Sequence, residues 1–126
     1  MGLQSYKELI AWQKSIDLVT EVYKLTRVFP RDELYGLTNQ LRRAAVSVPS
    51  NIAEGQGRLS RGEFRQFLGH ARGSVFELES QVLIARNLKY LNEKDSEGLL
   101  LRITEVGRVL NGLLKSLDER TPKTVH

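Results

Sequence analysis

The sequence contains no cysteine and has only two histidines, His70 and His126. The lack of cysteine excludes disulfide bonds, thiolate nucleophiles and thiol metal ligands, and it is compatible with a reducing cytoplasm. The histidines do not occur at the His-x-x-x-His or Glu-x-x-His spacing by which a helix presents metal ligands. We therefore expect no metal site and no cofactor.

The residue combinations on which enzyme catalysis depends are also missing. A serine nucleophile needs a neighbouring base, and His70 falls on the polar face of a predicted helix, where we expect it to be exposed. The segment Gly55-Gln56-Gly57-Arg58 lacks both the spacing and the preceding strand of a phosphate-binding glycine loop. The sequence thus predicts no catalytic residues and a protein that is not an enzyme.

No apolar run is long enough to cross a membrane. The longest uncharged run spans residues 44–53, whereas a transmembrane helix needs about 20 apolar residues. The N-terminus lacks the basic region and the apolar core of a signal peptide. We expect a cytoplasmic protein without membrane contact.

Helical periodicity, by contrast, runs through most of the chain. Apolar residues recur every three or four positions, and no alternating strand pattern is present. The segments with this periodicity are residues 6–28, 33–53, 61–88 and 96–117. Because their connections are short, we predict an all-α fold, an antiparallel up-and-down four-helix bundle. We expect one domain over residues 1–126, with an ordered core over residues 6–117 and a flexible tail over residues 118–126.

The uncharged run makes the second helix the centre of the predicted bundle. Its small side chains allow neighbouring backbones to come close. Pro49 should bend this helix, because proline removes a backbone donor and crowds the preceding turn. Gly69 and Gly73 lie inside the third helix, where each costs about 1 kcal/mol relative to alanine. We expect a partner helix to approach closely at these two glycines.

The first helix carries apolar residues on two faces. One face comprises Leu9, Trp12, Ile16, Val19 and Tyr23, and the other comprises Ala11, Leu18, Val22, Leu25 and Phe29. A surface helix of a monomer normally needs only one apolar face. We therefore hypothesise that the second face contacts another subunit and take Ala11, Leu18, Val22 and Leu25 as candidate interface residues. The alternative is that this helix is simply more buried than its neighbours.

The charge of the chain is mildly basic, and the excess is local. Lysine and arginine together number 19 against 15 acidic residues, which gives a net charge of +4. Residues 58–90 contain six basic and three acidic side chains, so most of the excess lies in the third helical segment. A local basic excess indicates nucleic-acid binding, although a solvated helix face is the commoner explanation.

Arginines form a row along the third helix. Arg61, Arg65, Arg72 and Arg86 fall within about 60° of one another at about 100° per residue, and Arg58 could extend the row. Such a row could neutralise several phosphates and release their counterions. The row also borders the apolar sector of the helix, so its side chains could instead only cover the core. Both interpretations stay open at this point.

Other basic and aromatic residues give weaker indications of nucleic-acid binding. Arg42 and Arg43 are adjacent on the second helix, so we expect them to face different partners, one of them pairing with a carboxylate such as that of Glu54. Trp12 and Tyr23 could stack on bases, but they share an apolar face, which favours core packing.

Several segments carry a resemblance to a known family. They are Leu41 to Arg58, Ala11-Trp12-Gln13-Lys14, Phe29-Pro30, Tyr35-Gly36-Leu37-Thr38, Ala71-Arg72-Gly73-Ser74 and Glu77-Leu78-Glu79. In combination they resemble the signature of a small four-helix-bundle family linked to intervening sequences in bacterial large-subunit ribosomal RNA. That family is similar to the accessory variability determinant of diversity-generating retroelements.

The resemblance implies a ring-like homopentamer with a positively charged surface that contacts nucleic acid. Together with the arginine row, it favours a non-catalytic homo-oligomer that binds nucleic acid, in particular structured RNA. The candidate binding residues are Arg58, Arg61, Arg65, Arg72 and Arg86. The alternative is a protein-interaction scaffold or an accessory subunit for a partner such as a reverse transcriptase, and an enzyme is the least favoured interpretation.

Overall fold

The computed structural model describes residues 5–120, with side chains described as far as Asp118. Helices within this range are α1 (Ile10–Thr26), α2 (Leu37–Gln56), α3 (Arg61–Asn87) and α4 (Glu93–Arg120), with short 3-10 turns at Tyr6–Glu8 and Arg31–Glu33. The described residues contain no strand. The predicted all-α four-helix bundle is therefore confirmed.

The four helices pack in a closed ring. Each helix contacts the next one along the chain, and α1 contacts α4. Among the described residues, no Cα atoms of α1 and α3, or of α2 and α4, lie within 8 Å of each other. The short connections reverse the chain direction at each step, so Ser47 of α2 contacts Ser74 of α3, while Gly55 lies beside the earlier residue Phe67.

Polar side chains cap the helices where the connections end. At the start of α2, Glu33 Oε1 accepts a hydrogen bond from the backbone N–H of Leu37 at 3.0 Å. At the start of α3, Ser60 Oγ accepts from the N–H of Glu63 at 3.1 Å. Asn92 does the same for the first turn of α4 at 2.7 Å. These bonds satisfy backbone donors that a helix leaves unpaired at its N-terminus.

The fourth helix is longer than its sequence pattern predicts. We expected it over residues 96–117, and it extends from Glu93 to Arg120. Leu117 is buried, and Asp118 forms an ion pair with Arg65 of α3. The rest of the predicted tail, residues 121–126, lies outside the described residues, as do residues 1–4.

The face of α1 that we assigned to a subunit interface lies in the core of the bundle. Ala11, Leu18 and Val22 are at most 1% exposed, and Leu25 is partly buried against the same core. The interface assignment is therefore wrong: side chains already enclosed by their own bundle cannot contact a second subunit. Both faces of α1 are apolar, and the periodicity alone does not say which one points inward.

The opposite face of α1 is the one that reaches solvent. Ile16 is 36% exposed and Tyr23 is 41% exposed, whereas Leu9 at the start of this face is buried. Trp12 and Val19 are partly buried against the core. The first helix thus has two apolar faces, as expected, but the face with Leu18 is buried and the face with Ile16 is partly exposed.

Pro49 and Gly55 show how α2 fits against its neighbours. Pro49 is buried within α2, which continues through it to Gln56, and the bend expected there stays a prediction. An added Cβ at Gly55 would lie 2.8 Å from Phe67 Cβ and 3.0 Å from Phe64 Cδ1. Gly55 therefore leaves no space for a side chain between α2 and α3.

Gly69 and Gly73 occupy open positions on α3. A Cβ at either glycine would meet no described atom within 4 Å apart from the adjoining backbone of α3. The partner helix that we expected at these glycines is therefore absent among the described residues, and both positions face solvent.

Glu33 joins the two connections at one end of the bundle. In addition to capping α2, its Oε2 accepts a hydrogen bond from the hydroxyl of Tyr90 at 2.9 Å. Both bonds favour the charged carboxylate, and the bond from Leu37 has the larger effect. Together they hold the pKa of Glu33 below its ordinary value of 4.5. The same contact raises the pKa of Tyr90.

We predict opposite effects of alanine at two glycines. Gly55→Ala should destabilise the fold by about 1–3 kcal/mol, because the new methyl group overpacks the α2–α3 contact. Gly69→Ala should stabilise it by about 0.5–1 kcal/mol, because the methyl group meets open space and the unfolded chain loses freedom. Urea unfolding followed by circular dichroism measures both. Equal effects of the two substitutions would contradict the packing described for Gly55.

We predict that Glu33 makes the fold sensitive to acid. Because its pKa is lower in the folded state, its contribution is complete above the unfolded value near 4.5 and disappears as the pH falls through the folded value. Glu33→Gln should therefore reduce the loss of stability between pH 7 and pH 3, as measured by urea midpoints at several pH values. Glu97→Gln, which removes an exposed carboxylate from α4, is the control. An identical pH profile for Glu33→Gln and the unsubstituted protein would refute the prediction.

Candidate nucleic-acid interface

The arginines of α3 are arranged along the edge of its buried face. The Ser60 cap starts the helix, and Arg61, Arg65 and Arg72 are exposed, while Arg86 is half-buried. Leu68, which the helical projection places on the same line, is completely buried. The row therefore borders the core, and each arginine has to be judged by the groups that its guanidinium contacts.

Arg65 is held by a carboxylate of the same chain. Its Nε and Nη2 donate to the two carboxylate oxygens of Asp118 at 2.6 Å and 3.2 Å, a two-pronged contact that joins α3 to the end of α4. These hydrogen bonds lower the pKa of Asp118 and raise that of Arg65. Both side chains are more than half exposed, so water screens the pair and its net contribution to stability is small.

Arg58 is engaged in a similar way. Its Nη2 donates to Glu54 Oε2 at 2.9 Å, and the centre of its guanidinium lies 4.7 Å from the centroid of the Phe67 ring. The ion pair spans one turn at the exposed end of α2. Arg58 is therefore positioned over the α2–α3 junction, but its charge is balanced locally.

Three predicted binding arginines have no carboxylate partner within residues 5–118. Arg72 lies over the ring of Phe76, with 5.2 Å between the guanidinium carbon and the ring centroid. Arg61 and Arg86 form no ion pair with any described side chain. The five arginines of the row thus fall into two classes: Arg58 and Arg65 are ion-paired, and the other three form no ion pair with a described carboxylate.

A second pair of arginines, Arg42 and Arg43, lines a cleft between α1 and α2. The cleft has a volume of about 430 Å³ and is lined by Tyr23, Asn39, Arg42, Arg43, Val46 and Ser47. Neither arginine forms an ion pair with a described carboxylate. We expected one of them to pair with a carboxylate such as that of Glu54, and within residues 5–118 neither does. Arg42 instead contacts Thr26 and Tyr23 of α1, and the expectation that the two arginines face different partners stays a prediction.

A mainly apolar groove adjoins this cleft. It has a volume of about 270 Å³ and is lined by Tyr6, Trp12, Ile16, Val19, Val46, Pro49, Ser50 and Ala53. Tyr6 and Trp12 meet edge to face with 5.3 Å between ring centroids, and both pack against the core, as expected for Trp12. Tyr23 differs from them, since it is partly exposed at the neighbouring cleft.

The titratable side chains of the described residues do not cluster as metal ligands. Across residues 5–118, no three or more histidine, aspartate or glutamate side chains lie close enough to hold a metal ion. His70 is exposed, as predicted, and its ring lies 5.9 Å from that of Phe67. No described helix has the length and apolarity required to cross a bilayer.

Comparison with known proteins places the sequence in one family and finds a solved structure with a similar fold. The family model described as 23S rRNA-intervening sequence protein matches residues 7–112. A solved structure from Bacteroides thetaiotaomicron VPI-5482, a protein of unknown function from the S23 ribosomal protein family, is similar to this chain with a TM-score of 0.78 and 20% identity. That similarity covers 84% of this chain and 99% of the other, and it shows the fold alone. No curated protein matches the sequence.

Proposed function

The chain belongs to the family of 23S rRNA-intervening sequence proteins, and from this premise we propose that it is a non-catalytic cytoplasmic protein that binds nucleic acid, in particular structured RNA. The observation that carries the proposal is the set of three α3 arginines that pair with no carboxylate among residues 5–118, namely Arg61, Arg72 and Arg86. Neither the family nor the solved neighbour is described as an enzyme.

The spacing of these arginines suits an extended polyanion. Arg61 and Arg86 are 25 positions apart on one helix, which corresponds to about 38 Å at the helical rise of 1.5 Å per residue. A single small anion cannot contact both ends of such a row, whereas the backbone of a folded RNA can. Contacts of this kind neutralise phosphates and position the RNA, but they carry little sequence information.

The ion-paired arginines can join the same surface at low cost. Exposed ion pairs contribute only about 0–1 kcal/mol, so a phosphate can replace Glu54 at Arg58 or Asp118 at Arg65. Until that exchange occurs, the two carboxylates oppose an approaching phosphate. We propose that Arg58 and Arg65 contribute less to affinity than the three unpaired arginines.

We predict that RNA binding depends on the unpaired arginines. Replacement of Arg61, Arg72 and Arg86 together by alanine should weaken binding of a structured RNA and lower the slope of log K against log salt by about 2–3. Asp118→Asn should have the opposite effect, because it frees Arg65 for a phosphate. Gel shifts or fluorescence anisotropy at several salt concentrations measure both changes.

The control for this prediction removes the same charge from other surfaces. Arg31, Arg102 and Lys115 are exposed outside α3 and become alanine in the control variant. An equal loss in both triple variants would show that net charge alone attracts RNA. A complete lack of RNA binding by the unsubstituted protein at low salt would exclude the proposed function.

We also propose that the protein acts as a homo-oligomer, with the ring-like pentamer that the resemblance implies. Because Ala11, Leu18 and Val22 are enclosed in the core, the apolar groove between α1 and α2 replaces them as the candidate contact. Ile16 and Val46 are exposed apolar residues that line this groove.

We predict that a charge in the groove disrupts the assembly. Ile16→Glu should lower the molar mass measured by light scattering, because association would bury an unpaired carboxylate. Leu101→Glu, at an apolar position of α4 that is 73% exposed, should leave the mass unchanged. A monomeric unsubstituted protein would refute self-association, and an Ile16→Glu variant of full mass would refute the role of the groove.

A protein-interaction scaffold is the second candidate function. The end of the bundle near Tyr90 exposes Val28, Leu34, Tyr35 and Leu88 in or beside the α1–α2 and α3–α4 connections. Large apolar side chains that remain exposed are typical of protein contacts. Retention of one partner protein, such as a reverse transcriptase, after nuclease treatment would favour this function over RNA binding.

A further inference from the structure

We propose that the cleft between α1 and α2 that contains Arg42 and Arg43 is a phosphate-binding site. It lies on a different surface from the α3 arginines, so it is a second anionic contact rather than a part of the first. The proposal does not rest on RNA binding by α3, because the cleft can take a phosphate group whether or not that group belongs to a nucleic acid.

Arg42 is held in place before any ligand arrives. Its Nε donates to Thr26 Oγ1 at 2.9 Å, and its guanidinium carbon lies 4.7 Å from the centroid of the Tyr23 ring. The Thr26 hydroxyl is buried and donates its own proton to the carbonyl oxygen of Val22 at 2.8 Å, which leaves a lone pair for Arg42. A side chain fixed in this way loses little conformational entropy on binding.

These contacts use only one of the five N–H donors of Arg42. The four donors on Nη1 and Nη2 form no hydrogen bond with a described residue. They constitute the forked edge with which a guanidinium binds two oxygens of one phosphate. Arg42 is thus fixed in position while its Nη1 and Nη2 donors remain free to bind a ligand. In Arg65, by contrast, Nε and Nη2 already donate to Asp118.

The other residues of the cleft favour an anion with more than two acceptor oxygens. Arg43 supplies a second positive charge, and no aspartate or glutamate lines the cleft. Asn39 provides an amide donor. Ser47 also lines the cleft, but its Oγ is already engaged by Asn51 and by Ser74 of α3.

A phosphate group matches this donor set better than a carboxylate does. The free edge of Arg42, the charge of Arg43 and the amide of Asn39 match the three or four oxygens of a phosphate, whereas one carboxylate offers only two oxygens and a single charge. The open cleft of about 430 Å³ also leaves room for the group to which the phosphate is attached. The two sources with this chemistry are a nucleic-acid backbone and free phosphate.

The experiment follows the Nε–H resonance of Arg42 in the full-length protein labelled with ¹⁵N-arginine. The two probes are inorganic phosphate and a short oligouridylate, each titrated at low salt. We expect both probes to shift the Arg42 resonance in a saturable manner, and the α3 variant lacking Arg61, Arg72 and Arg86 should show the same shift. If only inorganic phosphate moves the resonance, the site exists but serves free phosphate rather than nucleic acid.

Three substitutions test separately how the charge, the forked geometry and the fixed position of Arg42 contribute to oligouridylate binding. Arg42→Ala should weaken oligouridylate binding about tenfold or more, since hydrogen bonds to charged groups are lost. Arg42→Lys keeps the charge without the fork and should restore only part of the affinity. Thr26→Val removes the oxygen that orients Arg42 while leaving the charge unchanged, so a several-fold weaker affinity would identify Thr26 as a positioning residue.

Two results would overturn the proposal. The first is an Arg42 resonance that neither probe moves. The second is an Arg42→Ala variant that dissociates the assembly in light scattering and binds inorganic phosphate as the unsubstituted protein does. Arg42 would then contact a carboxylate of a second copy of the chain, not a phosphate. Unchanged helical circular dichroism in each variant shows that the comparison is made between folded proteins.

Discussion

The close packing of α2 against α3 is the contact on which the rest of the structure depends, and it is the most extensive contact between any two helices. A glycine makes it possible, since Gly55 leaves no space for a methyl group beside Phe64 and Phe67 of α3. The hydrogen bond between Ser47 and Ser74 satisfies two hydroxyls inside this contact. A fixed register between α2 and α3 determines where the arginines of both helices reach the surface.

The two basic surfaces follow from this arrangement. Because α2 packs against both α1 and α3, its Arg42 reaches Thr26 and Tyr23 of α1, and the arginines of α3 lie along a separate helix. The α3 row is extended and partly balanced by carboxylates, which suits a polyanion bound by many weak contacts. The cleft is compact, and none of its lining residues is acidic, which suits a single phosphate group. One fold therefore presents two basic surfaces that differ in extent and in how far carboxylates balance their charge.

Much of the fold could be predicted from the sequence, and less of the sites. The spacing of Leu99, Ile103 and Val106 predicts a helical apolar face, and all three are buried in α4. The arginine row on α3 could likewise be predicted, because its members are close together in sequence. The pairing of Arg65 with Asp118 could not be predicted in this way, since 53 positions separate the two residues and only folding brings them together.

The sequence by itself determined the four helices and their apolar faces, because periodicity and capping act between residues a few positions apart. Only the tertiary structure decided which face of α1 enters the core, since Leu18 and Tyr23 belong to faces that are equally apolar in the sequence. It also decided which arginines are neutralised and that Arg42 and Arg43 share a cleft. The physical reason is that burial and ion pairing depend on neighbours from other helices, and those neighbours are set by the packing of the whole bundle.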